Sequence, residues 1–416
     1  MFLLYEVLLY LVFFVTLPFF LLFGLLRGKY VANFRERFGL YRTEPGAHDL
    51  WIHAVSVGEA QAAKTIVDEI ARQRPGTSVI LTTTTITGQA QAARLFPQFP
   101  VTYFPFDFSR SVGRFLDHHR PRVFATMETE IWPNVTRICR ARGLRLILAN
   151  GRISDRSFPR YRAARSIVGA VLRDYDRILA REETDRTRFI AIGAPPTIVE
   201  TTGNVKFDYT PDQTPLPAIS SIRGLIAGRP VLVLGSTMEG EDEALLPLLP
   251  DLIAGENAFV IIAPRKPERF DVVASLLAGS GLRFARRSEI DGAPPCEVLL
   301  LDSLGELTRI YALAGAAFVG GTLQPFGGHN PIEPAAAGVP VCFGPSMTNF
   351  REIAEIFLRD GGAAQVGSAA GVIAFARRML ADETLRSDFG ERARNTVLQN
   401  RGASERTAGR IVELLA

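Results

Sequence analysis

Short runs of β-branched and aliphatic residues recur along this chain, and each is followed by a longer segment with helical periodicity. That alternation is typical of parallel sheets whose strands are joined by helices, so it restricts the chain to the α/β class. In the first half it predicts strands at 50–55, 78–84, 101–104, 122–127, 144–149, 177–180 and 198–202. In the second half it predicts strands at 230–235, 259–263, 297–301, 317–320 and 340–343, with helices from 368 to the end.

A proline-rich segment separates the two halves, since Pro211, Pro215 and Pro217 stand close together. Prolines at this density are typical of linkers. We therefore predict two doubly wound domains at 28–209 and 218–416, joined by a linker at 210–217, with the last helices free to pack back on the first domain. Ligands of open α/β sheets bind beyond the carboxyl ends of the strands, so we expect the functional residues in a cleft that the domains share.

The amino terminus adds a second constraint, because residues 3–26 are almost wholly apolar and residues 7–26 carry no charge. A helix of this length is enough to cross or deeply enter a hydrocarbon core about 30 Å thick. The basic side chains that follow are Arg27, Lys29, Arg35, Arg37 and Arg42. We predict a membrane anchor helix at 1–27, with everything after it on the cytoplasmic side. A proline at position 18 leaves both a spanning and a monotopic insertion open.

The alternative to an anchor is a cleaved signal peptide. Such a peptide needs a basic region before its apolar stretch and a small-residue cleavage site after it. Here the charged residue before the stretch is Glu6, and residues 24–29 offer no cleavage site. The sequence therefore favours a retained anchor.

Composition narrows the functional classes further. Charged residues make up 22% of the chain and hydrophobic residues 47%, as expected for folded domains, and the net charge is +4. Three widely separated cysteines, Cys139, Cys296 and Cys342, exclude a disulfide framework and fit a reducing compartment. Patterns for a P-loop, HExxH, CxxC, a nucleophile elbow and RNA-binding modules are absent from the sequence. We expect neither a bound metal nor a nucleic acid partner.

Polar side chains follow the predicted strands of the first half. In HAVSVGEA, residues 53–60, a glycine turn leads into a helix whose first turn holds Glu59. There it could act as a general base toward a substrate hydroxyl, or only complement the helix dipole. In METEIWPN, residues 127–134, Glu128 and Glu130 could hold a substrate hydroxyl or an arginine, or form a capping and salt-bridge cluster. In GNVKFD, residues 203–208, Lys206 could stabilise a developing negative charge.

Three segments of the second half indicate an anion or nucleotide site. APRKPERF, residues 263–270, puts Arg265 at a strand end, and DSLGEL, residues 302–307, opens a helix whose free N–H groups suit an anion. GGTLQPFGGHNPIEP, residues 320–334, contains paired glycines through which backbone could approach a ligand closely. A helix that starts at Asn330 and Pro331 would carry Glu333 in its first turn, where it could take the two hydroxyls of a ribose.

In this order and spacing the motifs resemble those of the bacterial 3-deoxy-D-manno-octulosonic acid (Kdo) transferases, over essentially the whole chain. The set comprises HAVSVGEA, METEIWPN, ANGRIS, GNVKFD, APRKPERF, DSLGEL and GGTLQPFGGHNPIEPAA. The resemblance implies a GT-B fold, in which two Rossmann-like domains face each other across a cleft. It also implies an inverting, metal-independent glycosyltransferase without a cofactor. Its members move Kdo from CMP-Kdo to the tetraacyldisaccharide 1,4'-bisphosphate precursor of lipid A.

The resemblance also implies roles for residues of this chain. Glu59 matches the general base, and Glu128 and Lys206 match groups that stabilise the transition state. The residues that match CMP-binding segments are Pro264, Arg265, Leu304, Gly305, Glu306, Asn330, Pro331, Ile332 and Glu333. As acceptor-side candidates we take Ser56, Gly58, Glu130, Arg35 and Arg37. The implied partners are the lipid A precursor, CMP-Kdo and the lipid of the inner membrane, without an obligate protein partner.

Two other interpretations remain. A nucleotide-sugar 2-epimerase shares the two-domain fold, but a soluble epimerase does not need an apolar amino terminus. A membrane-anchored scaffold or basic-patch binding protein is the non-catalytic alternative. The carboxylates and glycine turns at strand ends in both halves argue against a scaffold.

Overall fold

The chain folds into two compact units. A computed structural model describes residues 2–27, 34–210, 214, 216 and 218–416. Unit 1 comprises Met1–Asp208 and Arg401–Ala416, and unit 2 comprises Tyr209–Asn400. Most of the proposed linker at 210–217 lies outside the described residues.

Unit 1 contains a seven-stranded sheet in which all neighbouring strands are parallel. Its strands are β1 (His48–His53), β2 (Val79–Thr83), β3 (Val101–Tyr103), β4 (Pro121–Met127), β5 (Arg145–Gly151), β6 (Arg177–Ala180) and β7 (Val199–Thr201). They lie in the order β3-β2-β1-β4-β5-β6-β7, so the winding direction reverses between β1 and β4. In doubly wound sheets ligands bind at this switch point, beyond the carboxyl ends of the strands.

Helices cover both faces of this sheet. They are α1 (Phe2–Arg27), α2 (Phe34–Arg37), α3 (Val57–Gln73), α4 (Ile86–Leu95), α5 (Ser109–His119), α6 (Pro133–Ala141), α7 (Phe158–Ala163), α8 (Arg165–Leu172) and α9 (Glu183–Ala191). Trp51 and Phe124 point into the core on one face, and Ile52 and Leu81 point into the core on the other. The central strands are therefore apolar on both faces, as a parallel sheet buried between helix layers requires.

Unit 2 repeats the architecture with a second seven-stranded parallel sheet, and two of its strands were missed by the sequence prediction. The strands are β8 (Val231–Thr237), β9 (Phe259–Pro264), β10 (Phe284–Arg286), β11 (Val298–Leu300), β12 (Ala316–Val319), β13 (Val341–Phe343) and β14 (Ala363–Gln365). Their order is β10-β11-β9-β8-β12-β13-β14, which puts the switch point between β8 and β12. The missed strands, β10 and β14, are the two edges, three residues long and partly polar, so they carry little hydrophobic signal. The predicted strands are all present, with ends within two residues of the expected ones.

The helices of unit 2 lie around this sheet. They are α10 (Ile219–Ile226), α11 (Glu241–Leu245), α12 (Leu249–Glu256), α13 (Phe270–Gly279), α14 (Leu307–Ile310), α15 (Ile332–Ala336), α16 (Arg351–Arg359), α17 (Ala369–Ala381) and α18 (Glu383–Gln399). Short 3₁₀ turns across the two units lie at Pro196–Ile198, Val205–Asp208, Leu246–Leu248, Pro267–Arg269, Arg287–Glu289 and Tyr311–Leu313. Helix α14 has four residues and helix α15 has five, so both helices predicted at the nucleotide segments are single turns.

The last helix, α19 (Ala403–Leu415), belongs to unit 1. Its side chains Ile411 and Leu415 are buried in the core beside α3. The carboxylate of Asp208, where the chain leaves unit 1, accepts hydrogen bonds from the backbone N–H groups of Gly402 (2.6 Å) and Ser404, where the chain returns. The two segments that enter and leave unit 2 are therefore joined at one carboxylate.

Helix α1 packs on unit 1 through one face. The ring of Phe13 meets Phe38, Phe106 and Phe108 edge to face, with ring centroids 5.8, 5.5 and 5.4 Å away. The ring of Tyr10 stacks on Phe108 at 4.3 Å. Aromatic pairs at these separations add to the burial of apolar area, so this face holds α1 against the domain.

Polar contacts of α1 fix its position further. The Glu6 carboxylate accepts from the backbone N–H of Ser109 at 3.0 Å and so caps α5, whose own N-cap residue supplies no side-chain bond. The hydroxyl of Tyr5 donates to Asp107 Oδ2 at 2.8 Å, and Asp107 also accepts from the backbone N–H of Val135 at the start of α6. Helix α1 therefore satisfies a backbone donor at the start of α5 and contacts the carboxylate that accepts at the start of α6, in addition to its apolar contacts.

The opposite face of α1 carries exposed leucine, valine and phenylalanine side chains. Within the described part of the chain, no helix combines the length and the apolarity that crossing a membrane requires. The anchor at 1–27 remains a prediction, and the basic residue Lys29 lies outside the described residues.

Candidate active site

Non-glycine residues with left-handed backbone occur at three strand ends of the protein, among the residues that the structure describes. Six such residues occur among those that the structure describes: Arg120, Glu128, Asn150, Ala227, Ser236 and Asn257. Three of them simply end helices α5, α10 and α12. The other three, Glu128, Asn150 and Ser236, stand at the carboxyl ends of β4, β5 and β8. Such conformations cost free energy and tend to persist where a site requires them.

Glu59 occupies the first turn of α3, directly beyond β1. Ser56 is the N-cap of α3, and its hydroxyl donates to Glu59 Oε1 at 3.1 Å. The backbone N–H of Val55 donates to the other carboxylate oxygen, Oε2, at 2.9 Å. The Ser56 hydroxyl also accepts from the backbone N–H of Glu59 at 3.5 Å, so Ser56 caps α3 and Glu59 takes part in the hydrogen bonding at the start of this helix.

The electrostatic surroundings of Glu59 indicate a role in addition to helix capping. Burial raises the pKa of its carboxyl to about 7, and the negative charges of Glu128 and, to a smaller extent, Glu130 act in the same direction. The hydrogen bonds from Val55 and Ser56 oppose this shift without cancelling it. A carboxyl group with a pKa near the working pH suits proton transfer, because it is ionised in part and is still basic.

The glycine turn predicted before Glu59 is wrong. Helix α3 begins at Val57, so Gly58 lies within its first turn and has ordinary helical backbone. A Cβ added to Gly58 would meet no atom within 4 Å, so packing within the protein does not require glycine here. Gly58 therefore leaves open space beside the start of α3.

Glu128 follows β4 across the switch point from Glu59. Its carboxylate forms a salt bridge with Arg181, whose side chain is almost completely buried at the end of β6. The arginine Nε also donates to the backbone carbonyl of Asn150 at 3.2 Å. Glu128 therefore holds an arginine, which is one of the roles expected from its sequence position and also agrees with the salt-bridge cluster considered as the alternative.

Glu130 lies two residues further along the same loop. Its Oε2 accepts from the indole N–H of Trp132 at 2.8 Å and lies 3.9 Å from Nε2 of the buried His53. Burial raises the pKa of the Glu130 carboxyl and lowers the pKa of the His53 imidazole to about 3. His53 is neutral, stacks on Phe104 at 3.7 Å, and has its Nδ1 3.1 Å from the Thr82 carbonyl oxygen. It is a structural histidine beneath Glu130.

Lys206 lies in the 3₁₀ turn Val205–Asp208, beyond β7. Its backbone N–H donates to Asn204 Oδ1 at 3.1 Å, and its side chain is half-buried. The neighbouring backbone N–H of Val205 donates to Asn150 Oδ1 at 3.4 Å. The turn is therefore attached to the end of β5, beside the group that holds Arg181.

The two acceptor-side arginines of α2 differ in environment. Arg37 donates to the Thr84 carbonyl and lies over the ring of Tyr103, with its guanidinium carbon 4.6 Å from the centroid. Burial lowers the pKa of Arg37. Arg35 is exposed. Arg37 therefore attaches α2 to the carboxyl ends of β2 and β3, while Arg35 is accessible to an anionic ligand.

In unit 2, Arg265 and Glu333 lie within electrostatic range of each other. Arg265 follows β9, and its exposed guanidinium lowers the pKa of Glu333, although burial of that carboxyl raises the pKa by more. Asn330 Nδ2 donates to Glu333 Oε1 at 3.2 Å, and Asn330 Oδ1 accepts from the backbone N–H of Ile332 at 3.1 Å. Asn330 thus orients Glu333 at the start of α15, which begins at Ile332 with Pro331 as its N-cap.

The DSLGEL segment forms a turn beyond β11. Gly305 has a φ of 81°, which an L-residue rarely adopts. Glu306 accepts from Ser303 Oγ at 2.6 Å and from Arg287 Nη2 at 2.8 Å, while Leu304 is exposed. The Glu306 carboxylate is thus used inside the protein, which leaves the exposed Leu304 and the glycine backbone available to a ligand.

The switch point of unit 2 depends on a residue that sequence reasoning missed. Glu241 is completely buried at the start of α11. Its carboxylate accepts from the backbone N–H groups of Gly321 (2.6 Å), Thr322 (2.8 Å), Leu323 (2.9 Å) and Met238 (2.9 Å). One carboxylate therefore holds the glycine-rich loop after β12 against the loop after β8.

Glycine at position 320 allows these two loops to touch. A Cβ on Gly320 would lie 2.4 Å from the Ser236 carbonyl oxygen and 2.7 Å from the Thr237 Cα. Both neighbours are backbone, so any side chain at position 320 would force the loops apart. The close approach fixes the position of Ser236, the third residue with left-handed backbone at a strand end.

Two parallel α/β units of seven strands each, both with a switch point in the strand order, are the fold that GT-B proteins share. The structure is similar to a glycosyltransferase from Rickettsia africae ESF-5, with a TM-score of 0.58 and 11% identity over 90% of this chain and 98% of that chain. It is equally similar to UDP-GlcNAc 2-epimerase from Neisseria meningitidis, with a TM-score of 0.58 and 12% identity over 89% and 99% of the two chains. The two-domain α/β fold class is therefore confirmed, and the fold alone fits both activities.

Sequence similarity decides between the two activities. Residues 32–209 match the family model described as 3-deoxy-D-manno-octulosonic-acid transferase (kdotransferase). The 3-deoxy-D-manno-octulosonic acid transferase of Bordetella pertussis is 37% identical over 89% of this chain and 88% of its own length. The chain belongs to the 3-deoxy-D-manno-octulosonic acid transferase family, the glycosyltransferases that add Kdo in lipopolysaccharide synthesis. The epimerase alternative is not favoured.

Proposed function

We propose that this enzyme transfers Kdo from CMP-Kdo to a hydroxyl group of the tetraacyldisaccharide 1,4'-bisphosphate precursor of lipid A, with inversion and without a metal. The proposal rests mainly on the position and the raised pKa of Glu59. Its carboxylate lies at the switch point of unit 1, half-buried, with a pKa raised to about 7. A glycosyltransferase needs a base of this strength to activate an acceptor hydroxyl.

Each step of the reaction has a candidate group. Glu59 accepts the proton of the acceptor hydroxyl as its oxygen bonds to the anomeric carbon of Kdo. The bond between that carbon and the CMP phosphate breaks, and the electron pair leaves with the phosphate. The Glu128 carboxylate stabilises positive charge on the sugar, and Lys206 stabilises negative charge on the leaving group. CMP is a stable leaving group, so cationic side chains are sufficient for this stabilisation.

The nucleotide is assigned to unit 2. Arg265, whose guanidinium is exposed, pairs with the phosphate, and Glu333 binds the two ribose hydroxyls while Asn330 holds it in position. Pro264, Pro331 and Ile332 shape the backbone around these groups. Leu304, Gly305 and Glu306 form the turn that covers the base or sugar, with Gly305 supplying a backbone N–H.

We further propose that the enzyme works on the cytoplasmic side of the inner membrane and that the outer face of α1 contacts lipid. Leu8, Leu11 and Val15 on this face are 56%, 59% and 62% exposed, although each is aliphatic. Apolar area of this kind gains free energy on entering lipid, at roughly 25 cal/mol per Å². The acceptor phosphates would suit Arg35 and Arg42, which are exposed.

The membrane proposal predicts the effect of changing the outer face of α1 alone. The triple variant Leu8→Ser, Leu11→Ser, Val15→Ser should keep its unfolding temperature but bind anionic lipid vesicles about tenfold more weakly or worse, because lost apolar burial on this scale exceeds 1.4 kcal/mol. Co-sedimentation with vesicles measures it. Val272→Ser, which changes an exposed aliphatic residue of unit 2, is the control. Unchanged vesicle binding by the triple variant would contradict a lipid-facing α1.

The reaction itself is tested by its products. Purified enzyme with CMP-Kdo and the lipid precursor should release CMP and yield a lipid whose mass has increased by one or more Kdo residues. Release should be far slower without the lipid acceptor, and CMP alone should raise the unfolding temperature, as expected for a ligand that binds the folded state. CMP release that does not depend on acceptor, with no glycosylated lipid, would reject the proposed transfer.

A further inference from the structure

The end of β5 contains an irregularity that connects two groups of the proposed active site. The pairing of β5 with β6 shifts register between Leu148 and Gly151, and Asn150 within this bulge has a φ of 55°. Bulges next to active sites change the direction in which side chains and carbonyls point. The Asn150 side chain is completely buried, so it does not itself contact a substrate.

The bulge presents two acceptors of Asn150 in different directions. Its backbone carbonyl accepts from Arg181 Nε at 3.2 Å, and its side-chain Oδ1 accepts from the backbone N–H of Val205 at 3.4 Å. The first bond reaches the partner of Glu128, and the second reaches the turn that carries Lys206. One residue is therefore bonded to the supports of two groups that we assign to charge stabilisation.

Arg181 is the link to Glu128. Its side chain is 3% exposed, and its Nη2 forms a salt bridge with Glu128 Oε1. A buried guanidinium with two fixed acceptors has little freedom to move, so it holds its carboxylate partner in one orientation. Glu128 itself follows β4 with a φ of 58°, and its backbone N–H donates to the Ala149 carbonyl at 3.0 Å, which holds its backbone at the end of β5.

We propose that Asn150 and Arg181 are positioning residues for Kdo transfer. Arg181 orients the Glu128 carboxylate, and Asn150 holds Arg181 and the Val205–Lys206 turn at a constant separation. This inference rests on the proposed function and deepens it, because it makes the placement of Glu128 and Lys206 depend on a single buried residue. Neither positioning residue is expected to touch the donor or the acceptor.

The first test compares Arg181→Met and Arg181→Lys with Arg177→Met. Arg177 lies at the opposite end of β6 and pairs with Glu200, so it is a matched control that should retain full activity. Arg181→Met should lower kcat about 100-fold, the loss expected from a small displacement of a reacting group. The KM for CMP-Kdo should stay within about threefold and the protection by CMP should be unchanged, because the residues that we assign to binding of the nucleotide belong to unit 2.

The pH profile separates positioning from a general loss of structure. The charged groups within electrostatic range of Glu128 are Arg181, Glu59 and Glu130. Removing the cation leaves the Glu128 charge less compensated, so the acid limb of the rate profile, set by Glu59, should move to higher pH in Arg181→Met. Arg181→Lys restores the charge without the paired geometry. It should therefore return the acid limb toward its original position while kcat stays low.

The second test removes the side chain of Asn150 without straining its backbone. Glycine adopts positive φ readily, so Asn150→Gly should keep the bulge while it removes the buried side chain and with it the acceptor for Val205. We expect folded protein with kcat lowered about tenfold, equivalent to 1.4 kcal/mol of transition-state stabilisation. Full activity of both Asn150→Gly and Arg181→Met would overturn the proposal, as would parallel losses of kcat, donor affinity and unfolding temperature. Failure of the unchanged enzyme to glycosylate lipid would reject the proposed function instead.

Discussion

Glu59→Gln should abolish Kdo transfer while the protein still folds and still binds CMP. Glutamine keeps the size of the side chain, its oxygen can accept from the Val55 N–H, and its amide can donate to the Ser56 hydroxyl, but it cannot accept a proton. Loss of a general base lowers rates by about 100- to 10,000-fold. A CMP-release assay with lipid acceptor measures the rate, and the rise in unfolding temperature with CMP measures nucleotide binding.

The pH dependence follows from the raised pKa of Glu59. The base must be ionised, so the wild-type rate should fall about tenfold per pH unit below about pH 7 and level off above it. The stability of the protein should change in the opposite sense. Between pH 4.5 and about 7 the folded state holds the Glu59 proton more tightly than the unfolded chain does, so the free energy of unfolding falls as pH rises. The free energy of unfolding of Glu59→Gln should not fall in this way, because glutamine does not titrate. The variant should therefore be at least as stable as the wild type at pH 8.

The activity and the stability of Glu59→Gln together distinguish a catalytic role of Glu59 from a role in capping α3. If Glu59 only capped α3, Glu59→Gln would lose stability at pH 8, and its activity would fall no further than its folded fraction. Asp68→Asn provides the control, because Asp68 is an exposed residue of the same helix that pairs with Lys64. It should leave both the rate and the unfolding temperature unchanged.

Glu241→Gln should cause the largest loss of stability and of donor binding in unit 2. The four backbone N–H groups around this buried side chain all need acceptors, and the amide of glutamine would direct its own donors at two of them. Leaving two buried donors unsatisfied costs about 3–5 kcal/mol. The loops after β8 and β12 should then separate, so the KM for CMP-Kdo should rise in whatever fraction remains folded.

Denaturant unfolding and CMP titration by thermal shift measure the two effects of Glu241→Gln. Glu239→Gln is the control, since Glu239 is exposed two residues earlier on the same loop. If Glu241→Gln matched the wild type in both measurements, Glu241 would not organise the loop. A variant too unstable to purify would leave Gly320→Ala as the second probe of the same loop contact, with the same expected rise in KM.

How much of the fold could be predicted from the sequence depends on how deeply each element is buried. The central strands were predicted because they are buried on both faces and read as continuous apolar runs. The edge strands β10 and β14 were missed because they are short and expose polar side chains such as Arg286 and Gln365. The face of α1 that packs on unit 1 could not be predicted either, because both faces of this helix are apolar in sequence.

The site was predicted as far as local motifs reach. Glu128 and Arg265 were expected at strand ends because each directly follows an apolar run, and Glu59 was expected there because it lies in the first turn of the helix after one. Arg181 and Glu241 were missed because their partners lie 53 and about 80 residues away along the chain, and no local pattern links them. An arginine directly after an apolar strand and a glutamate directly after a glycine were the available signals, and neither is specific.

Unit 2 is an insertion in unit 1, because the chain leaves unit 1 at Asp208 and returns at Arg401. The core of the first unit needs Ile411 and Leu415 of α19, which follows the whole of unit 2 in the chain. During synthesis the first unit therefore cannot complete its core until α19 has left the ribosome, whereas the inserted unit has all of its residues earlier. Nascent chains stopped after Asn400 should thus show a protease-resistant second unit attached to an unfinished first one.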